Sequence, residues 1–331
     1  MGTEYIIGVD GGATKTDYLL FTTEGKLVDA LHLGTRSHEV LEGSFEEVEE
    51  LLLADLEHLL KKNGVDKDHV AAAAFGLAGI DTPAQLRRIK EILNKASLRS
   101  YVVANDSILG IKVGCPSGVG ICSINGTGTV ASGIDENGEV LQVGGIGFAT
   151  GDSAGGSIIA SRAIRAVYDF YFRCGDATVM SEHLMKLFQI TGPEDLLNVI
   201  SEKFSFSREY DKEIITILFN AANSGDAVAQ EIVKDIAREL AKSVSGCIRR
   251  LHFSGVPEVV LAGSIWTKAK CPLLLSYFKE CIFQYTQQWV EPQVLQVIPA
   301  AGAIIWALEI ACNHPATPEQ RAVIFENMPD L

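Results

Sequence analysis

The sequence lacks long apolar runs and a surplus of basic residues. No apolar run reaches the roughly 18 residues that a membrane-spanning helix needs. The chain carries 28 basic and 42 acidic side chains, which give a formal net charge of −14. A protein that holds nucleic acid or an anionic membrane through a basic surface has the opposite sign of charge. We therefore expect neither nucleic acid nor a membrane among its partners.

Cysteines are few and scattered through the chain. Their number, seven, is odd, and no two of them form a CxxC pair. This pattern argues against a disulfide framework and against a zinc or iron–sulfur cluster. Reduced, buried thiols are the favoured interpretation, and they predict a cytoplasmic protein. The seven positions are Cys115, Cys122, Cys174, Cys247, Cys271, Cys281 and Cys312.

The length of 331 residues favours two domains, because a single core rarely grows beyond roughly 250–300 residues. The composition, 47% hydrophobic and 21% charged, is that of folded domains. A Gly-Cys-Pro-Ser-Gly stretch at residues 114–118 marks the predicted boundary. We expect one domain over residues 1–114 and a second over residues 115–331. A final apolar helix near residues 300–311 is expected to pack back on the first domain.

A unit of strand, glycine turn, strand, tight turn and strand occurs twice. The tight turn is Glu24-Gly25 in the first copy and Asn137-Gly138 in the second. The predicted strands are residues 5–9, 16–22 and 27–33 in one copy and residues 119–124, 129–134 and 139–143 in the other. Strands followed by helices in each half predict two α/β domains of duplicated design.

Helical periodicity and capping residues predict most of the remaining elements. Ser44 followed by Glu47 predicts a capping box at the start of a helix that Asn63-Gly64 ends. The other predicted helices cover residues 82–95, 153–173, 181–189, 194–204, 213–222, 226–253 and 300–311, and the other predicted strands cover residues 70–77, 101–104 and 259–262. The tail from residue 313 is polar.

The glycine turn at residues 10–16 does not fit the P-loop. That motif requires a glycine directly before its lysine and a helix after it, but Thr14 precedes Lys15 and residues 17–21 prefer a strand. Glycines at 145, 147 and 151 also miss the GxGxxG spacing of a dinucleotide site.

We interpret the same turn as a hairpin that clamps phosphate, because glycine lets backbone N–H groups approach phosphate oxygens. Thr14 and Thr16 add hydroxyls, and Lys15 adds positive charge. Asp10 is anionic, like phosphate, so it needs an intervening magnesium ion. Residues 125–129 would close on the phosphates from the other domain. Either turn alone could merely connect strands, but the paired repeat favours a function.

Five segments together carry a family resemblance, through their order and spacing. They are residues 8–16, 105–107, 126–129, 144–152 and 261–266. The chain resembles the actin-like ATPase superfamily that includes sugar kinases. Within it, the chain is similar to the N-acetylglucosamine kinase branch, which is shared with the BadF/BadG-type activator ATPases of benzoyl-CoA and hydroxyacyl-CoA reductases. The resemblance runs from about residue 5 to residue 306.

The resemblance implies two duplicated actin-like (ribonuclease H-like) α/β domains with a cleft between them. It implies ATP and Mg²⁺ as ligands and phosphorylation of a small amino sugar, foremost N-acetylglucosamine at its 6-hydroxyl. Asp10 would organise the magnesium ion, and Asp106 would be the catalytic base. The implied nucleotide contacts are Asp10, Gly11, Gly12, Thr14, Lys15, Thr16, Thr127, Gly128, Gly263 and Ser264. The implied sugar contacts are Ser37, His38, Gly79, Asn105, Gly145 and Asp152.

Two of these aspartates have a structural alternative. A carboxylate at a strand end can orient a sugar hydroxyl and accept its proton, which suits Asp106. Asp106 could also cap the helix that follows it, and Asp152 could likewise cap a helix that begins at Ser153. A lone loop histidine such as His38 is more often structural than functional.

Three residues depart from the family pattern, and all three fall around the acceptor site. Ser37 stands where the family often has Asn, Ile146 where it usually has Trp, and Ser153 where it usually has Glu. The resemblance therefore supports ATP binding more firmly than it supports a particular sugar.

Two other functions stay open from the sequence. One is an activator-type ATPase coupled to a partner enzyme, although such proteins hold an iron–sulfur cluster through a cysteine motif that is absent here. The other is a catalytically silent nucleotide or sugar sensor. The presence of Asp10 and Asp106 argues for catalytic activity, whereas the altered acceptor residues argue against it. A homodimer is the default expectation for the oligomeric state.

Overall fold

Two five-stranded sheets frame the protein in a computed structural model, which describes residues 3–204 and 208–329. The first sheet contains β1 (Tyr5–Gly11), β2 (Lys15–Thr22), β3 (Leu27–Gly34), β4 (Val70–Leu77) and β5 (Tyr101–Ala104). Its strands lie in the order β3-β2-β1-β4-β5. The three strands of the N-terminal meander are antiparallel, and β4 and β5 are parallel to β1.

The second sheet repeats this topology. It contains β6 (Gly120–Asn125), β7 (Thr129–Ile134), β8 (Val140–Gly144), β9 (Val259–Ala262) and β10 (Gln293–Val294). Its order, β8-β7-β6-β9-β10, again places an antiparallel meander beside two strands parallel to its first strand. The predicted repeat of strands and glycine turns thus corresponds to a repeat of whole sheets.

Helices cover both faces of each sheet. Those in the described ranges are α1 (Ser44–Lys62), α2 (Pro83–Lys95), α3 (Ser107–Gly114), α4 (Gly156–Phe172), α5 (Met180–Phe188), α6 (Pro193–Val199), α7 (Asp211–Asn223), α8 (Ala227–Arg250), α9 (Ser264–Thr267), α10 (Pro272–Thr286), α11 (Ala300–Cys312) and α12 (Pro318–Glu326). A π-helical turn, Ile200–Phe204, follows α6. Across these described ranges, no helix combines the length and apolarity that crossing a bilayer requires.

The start of α1 differs from the sequence prediction. Ser44 is the first helical residue, with a φ of 50°, and Gly43 is the N-cap. Glu47 reaches back as predicted, since its Oε2 accepts the Gly43 N–H at 2.9 Å, but the Ser44 side chain makes no capping bond. The predicted capping box is therefore wrong. A complete box occurs instead at α2, between Thr82 and Gln85.

Four of the strands and α-helices named above were missed by the sequence prediction, and one of them is the four-residue helix α9. β10 has two residues, too few for a pattern of alternation. α12 lies in the polar tail, where no helix is predicted, and Thr317 and Gln320 form a capping box at its start. α10 was also not predicted, and it packs along α8. The helix predicted from residue 153 begins later, at Gly156, after a segment whose backbone is extended at Gly155.

Side chains from alternate positions of the first sheet enter two separate cores. One face of the sheet packs under α1 and α2 through residues such as Ile7 and Phe75. The opposite face packs against α11 and α12 through residues such as Ile6 and Ala74. The second sheet is covered by α3 on one face and by a larger group of helices, including α4, α7, α8 and α10, on the other.

α3 and α11 lie between the two sheets and contact each other. α3 packs on β6, β7 and β9, whereas α11 packs on β1 and β4. A Cβ atom on Gly302 of α11 would lie 2.2 Å from the Leu109 carbonyl oxygen of α3, and one on Gly8 would lie 2.8 Å from the Ile304 nitrogen. Each helix thus packs on the sheet built by the other half of the chain. The division into domains at residues 114 and 115 stays a prediction.

Two charged side chains, Arg321 and Lys112, hold the C-terminal end of α3 through hydrogen bonds and an ion pair. Arg321 of α12 is buried and donates to the carbonyls of Lys112 and Val113 at 2.9 and 2.6 Å. Lys112 Nζ pairs with Glu309 Oε2 of α11 at 2.8 Å. The last carbonyls of a helix lack partners within the helix, so the guanidinium satisfies them and complements the helix dipole.

We predict that Gly302→Ala destabilises the protein by about 3 kcal/mol, because the new methyl group has no room against the Leu109 carbonyl. Alanine normally stabilises a helix interior relative to glycine, so a loss of stability would come from the packing clash alone. Urea unfolding measures the effect. Gly255→Ala is the control, since a Cβ atom there meets nothing within 4 Å. A Gly302→Ala variant as stable as the wild type would contradict the helix contact.

Candidate functional site

Polar residues gather where the parallel strands of both sheets end. This cleft is bounded by the carboxyl ends of β1, β4 and β5 in one half and of β6 and β9 in the other. The β1–β2 turn lies on the first side. Gly12 N–H donates to the Lys15 carbonyl at 2.8 Å, and Thr14 and Lys15 are exposed. Lys15 Nζ lies 2.7 Å from the Asp17 carboxylate. Thr16 is fully buried, and its contact with phosphate stays a prediction.

Neighbouring segments hold this turn in place. Ala78 N–H donates to the Gly11 carbonyl at 2.6 Å, and Thr35 Oγ1 donates to the Gly12 carbonyl at 2.9 Å. A Cβ atom on Gly11 would lie 2.6 Å from the end of the Leu77 side chain, so a larger residue there would require Leu77 to move. The turn is therefore fixed to the ends of β3 and β4.

The β6–β7 turn lies against the end of β9. Thr127 and Gly128 are exposed at its tip. Gly263 has a φ of 94°, in the region that favours glycine, and a Cβ atom there would lie 2.3 Å from the Asn125 carbonyl oxygen. Ser264 follows, exposed, as the first residue of α9. The structure thus brings together the two segments expected to contact nucleotide from the second half.

A cavity of about 420 Å³ opens beside this turn, within the range of roughly 300–1,000 Å³ typical of small-molecule sites. Ser157 Oγ donates to Asp211 Oδ2 at 2.6 Å in its wall. Sequence reasoning placed Thr127 and Ser264 here but missed the contributions of α4 and α7. The polar face of the otherwise apolar helix α7 is the feature of the sequence that could have indicated this contribution. The lining residues are Gly126, Thr127, Gly156, Ser157, Arg208, Asp211, Lys212, Ile215, Thr216, Ser264, Ile265, Lys268 and Ala269.

Two buried polar side chains beside the turns have no hydrogen-bond partner in the described part of the chain. They are Thr16, through Oγ1, and Asn125, through both amide atoms. Burying such a group without a partner costs about 1–3 kcal/mol. Unpaired buried polar groups are uncommon, and a ligand that binds at the turns would give these two a partner.

Three predicted sugar contacts, Ser37, His38 and Gly79, meet on the segments whose residues Thr35 and Ala78 hold the β1–β2 turn. Gly79 has a φ of 83°, and a Cβ atom there would lie 3.0 Å from the His38 ring and 3.2 Å from Ser37 Oγ. The His38 ring stacks on Phe45 with 4.0 Å between centroids, and its Nε2 lies 3.3 Å from Gln85 Nε2. The imidazole is therefore held in one orientation by its neighbours.

Asp81 lies near these predicted sugar contacts, although sequence reasoning missed it. Its Oδ1 accepts hydrogen bonds from Asn105 Nδ2 at 3.1 Å and from Gln142 Nε2 at 2.5 Å. Burial raises the pKa of the Asp81 carboxyl, and the Gln142 hydrogen bond opposes that rise. The sequence feature that could have indicated this role is an acidic residue directly after Gly79-Ile80, just beyond the carboxyl end of a buried strand.

Asp152 holds the glycine-rich loop that follows β8. Its two carboxylate oxygens accept the N–H groups of Gly145 and Gly147, at 2.9 and 2.5 Å. It does not cap α4, whose N-cap is Gly155, so the helix-cap alternative for Asp152 is wrong. Ile146 and Phe148 of the same loop expose 61% and 83% of their surfaces. Two large apolar side chains are thus exposed to solvent near the predicted sugar contacts.

Asp106 occupies the N-cap position of α3, but its side chain makes no capping bond. The Asn105 side chain accepts the Ser107 N–H instead, at 3.0 Å. Burial, and then the charge of Asp81, raise the pKa of Asp106 to about 6. Burial, followed by the charges of Asp106 and Asp17, raises the pKa of Asp10 to about 7. The two carboxylates implied as metal organiser and base are therefore close enough to repel each other.

The donor set suits a magnesium ion that brings most of its own ligands. Mg²⁺ is usually held by one or two carboxylates together with phosphate oxygens and water. Asp10 supplies one carboxylate next to the first glycine turn. Among the described residues, no group of three or more His, Cys, Asp or Glu side chains could hold a metal by itself.

Comparison with known proteins agrees with this architecture. The model of the BadF/BadG/BcrA/BcrD ATPase family matches residues 7–307. An N-acetylmuramic acid/N-acetylglucosamine kinase of Clostridium acetobutylicum is 27% identical over 259 residues, which cover 78% of this chain and 83% of that protein. An N-acetyl-D-glucosamine kinase of Dictyostelium discoideum is 24% identical over 324 residues, which cover 93% and 99%.

A solved structure shares the fold over nearly the whole chain. It is that of a candidate N-acetylglucosamine kinase from Chromobacterium violaceum, with a TM-score of 0.62 and 18% identity, and the match covers 93% of this chain and 99% of that one. The predicted fold class, two duplicated actin-like α/β domains with a cleft between them, is confirmed.

We predict that Asp10→Asn stabilises the ligand-free protein at pH 8. The Asp10 carboxyl has a pKa of about 7 in the folded chain against an ordinary 3.8, so the folded state binds the proton more tightly. Its contribution to stability is full below about pH 4 and is lost as the pH rises through 7. Asparagine carries no charge and avoids this loss, so we expect a gain of up to about 4 kcal/mol at pH 8.

Urea unfolding at pH 8 and pH 5 tests this prediction, because the gain falls by more than half at the lower pH. Asp68→Asn is the matched control, since Asp68 is exposed just before β4, at the end of that strand opposite the cleft. An Asp10→Asn variant no more stable than the wild type at pH 8 would contradict the raised pKa.

Proposed function

Because the chain belongs to the BadF/BadG/BcrA/BcrD ATPase family, we propose that it transfers the terminal phosphate of ATP to a small amino sugar. N-acetylglucosamine, at its 6-hydroxyl, is the first candidate acceptor, as the names of the two relatives suggest. One observation carries the proposal. Asp106, a carboxylate with a raised pKa, lies close enough to Asp10 at the first glycine turn and to Asp81 just after Gly79 to interact with both charges.

Asp106 acts as the general base. The sugar hydroxyl oxygen attacks the γ-phosphorus, a new O–P bond forms, and the bond from the γ-phosphorus to the bridging oxygen of ADP breaks. The hydroxyl proton passes to Asp106 and from there to solvent. A pKa of about 6 leaves this carboxylate largely ionised at neutral pH while making it a better proton acceptor than an ordinary aspartate.

The two glycine turns bind the phosphates. Gly11, Gly12, Thr14, Lys15 and the buried hydroxyl of Thr16 contact the phosphates from the first half. Thr127 and Gly128 approach from the second half, and Gly263 and Ser264 adjoin the adenosine in the 420 Å³ cavity. Asp10 holds Mg²⁺, which when bound neutralises charge on the phosphate oxygens. Closure of the two halves around both substrates excludes water.

The acceptor binds at the end of the cleft where the family pattern is altered. Ser37, His38, Gly79, Asn105, Gly145 and Asp152 surround it in the proposal. Ile146 and Phe148 stand exposed there, and they would cover the apolar face of a sugar ring. A homodimer and a cytoplasmic location stay predictions.

A panel of acceptors tests the function. With ATP and Mg²⁺ present, we expect N-acetylglucosamine to raise ADP release at least about tenfold over the rate without sugar. The sugar supplies the acceptor hydroxyl, and the closed cleft keeps water from taking its place. Glucose, glucosamine and N-acetylmuramic acid complete the panel. Equal ADP release with and without any sugar would identify an activator-type ATPase instead. Nucleotide binding without turnover would identify a sensor.

Asp106→Asn separates chemistry from binding. Asparagine keeps the size of the side chain but cannot accept the proton, so we expect kcat to fall by about 10²–10⁴ with the Kd for ATP nearly unchanged. Steady-state kinetics and calorimetric titration of ATP provide the two measurements. Asp68→Asn controls for the loss of one negative charge. Near-normal phosphoryl transfer by Asp106→Asn would remove Asp106 from the base role.

A further inference from the structure

We propose that Asp81 is a positioning residue that fixes the segment carrying Asp106 by joining the two halves of the chain. It stands outside the residues that the family resemblance implies. The inference rests on the proposed function, in which Asp106 is the base. Its core is geometric, because one carboxylate oxygen of Asp81 receives hydrogen bonds from both sides of the cleft.

The first half contributes Asn105, which follows β5 directly and precedes Asp106 in the chain. Asn105 Nδ2 donates to Asp81 Oδ1 at 3.1 Å. The second half contributes Gln142 of β8, whose Nε2 donates to the same oxygen at 2.5 Å. A charged acceptor forms stronger hydrogen bonds than a neutral one, which suits an oxygen shared by two donors.

The chain of hydrogen bonds continues beyond Asn105. Its Oδ1 accepts the Ser107 N–H at 3.0 Å and the Ser107 hydroxyl at 2.6 Å. Ser107 Oγ also shares a hydrogen bond of 2.6 Å with Ser132 Oγ of β7. Asn105 is 7% exposed, and both serines are buried almost completely. The network therefore runs from β8 through Asp81 and back to β7. Its part from Asn105 to Ser132 is shielded from water, where each hydrogen bond is stronger.

This arrangement fixes Asp106 from both sides. Residues 105 and 107 are anchored by the network, whereas the Asp106 side chain makes no capping bond of its own. Asp81 is itself held, since its N–H donates to Gln85 Oε1 at 2.9 Å within the α2 capping box. Without the Asp81 carboxylate, the buried Asn105 amide loses a partner and can turn, which frees the backbone at Ser107.

The first test is kinetic and uses the full chain. We expect Asp81→Ala to lower kcat by about 10–100-fold, because small displacements of a catalytic group have effects of this size, while the KM values for ATP and sugar change less than about threefold. Asp81→Asn keeps an oxygen that can accept both hydrogen bonds, so we expect it to restore kcat to within about threefold of the wild type. Asp68→Ala and Asp68→Asn are the matched controls.

The second test does not depend on turnover. Amide hydrogen exchange of Ser107 in the ligand-free protein should be at least about tenfold faster in Asp81→Ala and near wild type in Asp81→Asn. If wild-type protein phosphorylates no sugar while this exchange pattern holds, the proposed function fails and the positioning role stands. Gln142→Ala removes only the donor from β8, and it should accelerate the same exchange even if Asp81→Ala does not fold.

Two results would overturn the inference. Unchanged Ser107 exchange in both Asp81→Ala and Gln142→Ala would show that the network does not hold the segment. A raised KM for sugar with a normal kcat in Asp81→Ala would show that Asp81 contacts the acceptor instead of positioning Asp106.

Discussion

The close approach of α3 to α11 is the contact on which the rest of the architecture depends. Gly302 brings the backbone of α11 against the Leu109 carbonyl, and Gly8 brings β1 against α11. Because each helix packs on the sheet of the other half, these contacts set the distance between the sheets. The strand ends that carry Asp10, Asp106 and the two glycine turns face each other only at that distance. The cleft is therefore a consequence of how two helices pack.

The cleft gathers negative charge that the folded protein bears at a cost. Burial raises the pKa values of Asp10 and Asp106, the charge of Asp106 adds to the shift at Asp10, and the charge of a third carboxylate, Asp81, adds to the shift at Asp106. A fold optimised for stability alone would place neutral side chains there. Such acids are expected where a cation and a proton must both be handled, so an electrostatically unfavourable arrangement coincides with the proposed chemistry.

Strands and turns were predictable because they depend on local sequence. β4, β5 and β9 match their predicted bounds, and both glycine turns lie where the repeat placed them. The misses have physical causes. β10 is too short to show alternation, and it exists because β9 offers a partner. Asp81 acts through Asn105 and Gln142, which are far from it in sequence, and the cavity wall from α7 depends on how that helix packs on α4. Contacts of this kind are made by the fold, and periodicity does not encode them.

The position of α11 and α12 after the strands of both sheets in the sequence has a consequence for how the protein is made. These helices cover the face of the first sheet that carries Ile6 and Ala74. During synthesis that face stays uncovered until residues 300–326 have left the ribosome, whereas domains generally fold from the N-terminus as they emerge. The first sheet, although made first, is thus completed last, and contacts of such long sequence separation slow folding. The N-terminal half is accordingly the part that needs protection from aggregation while translation continues.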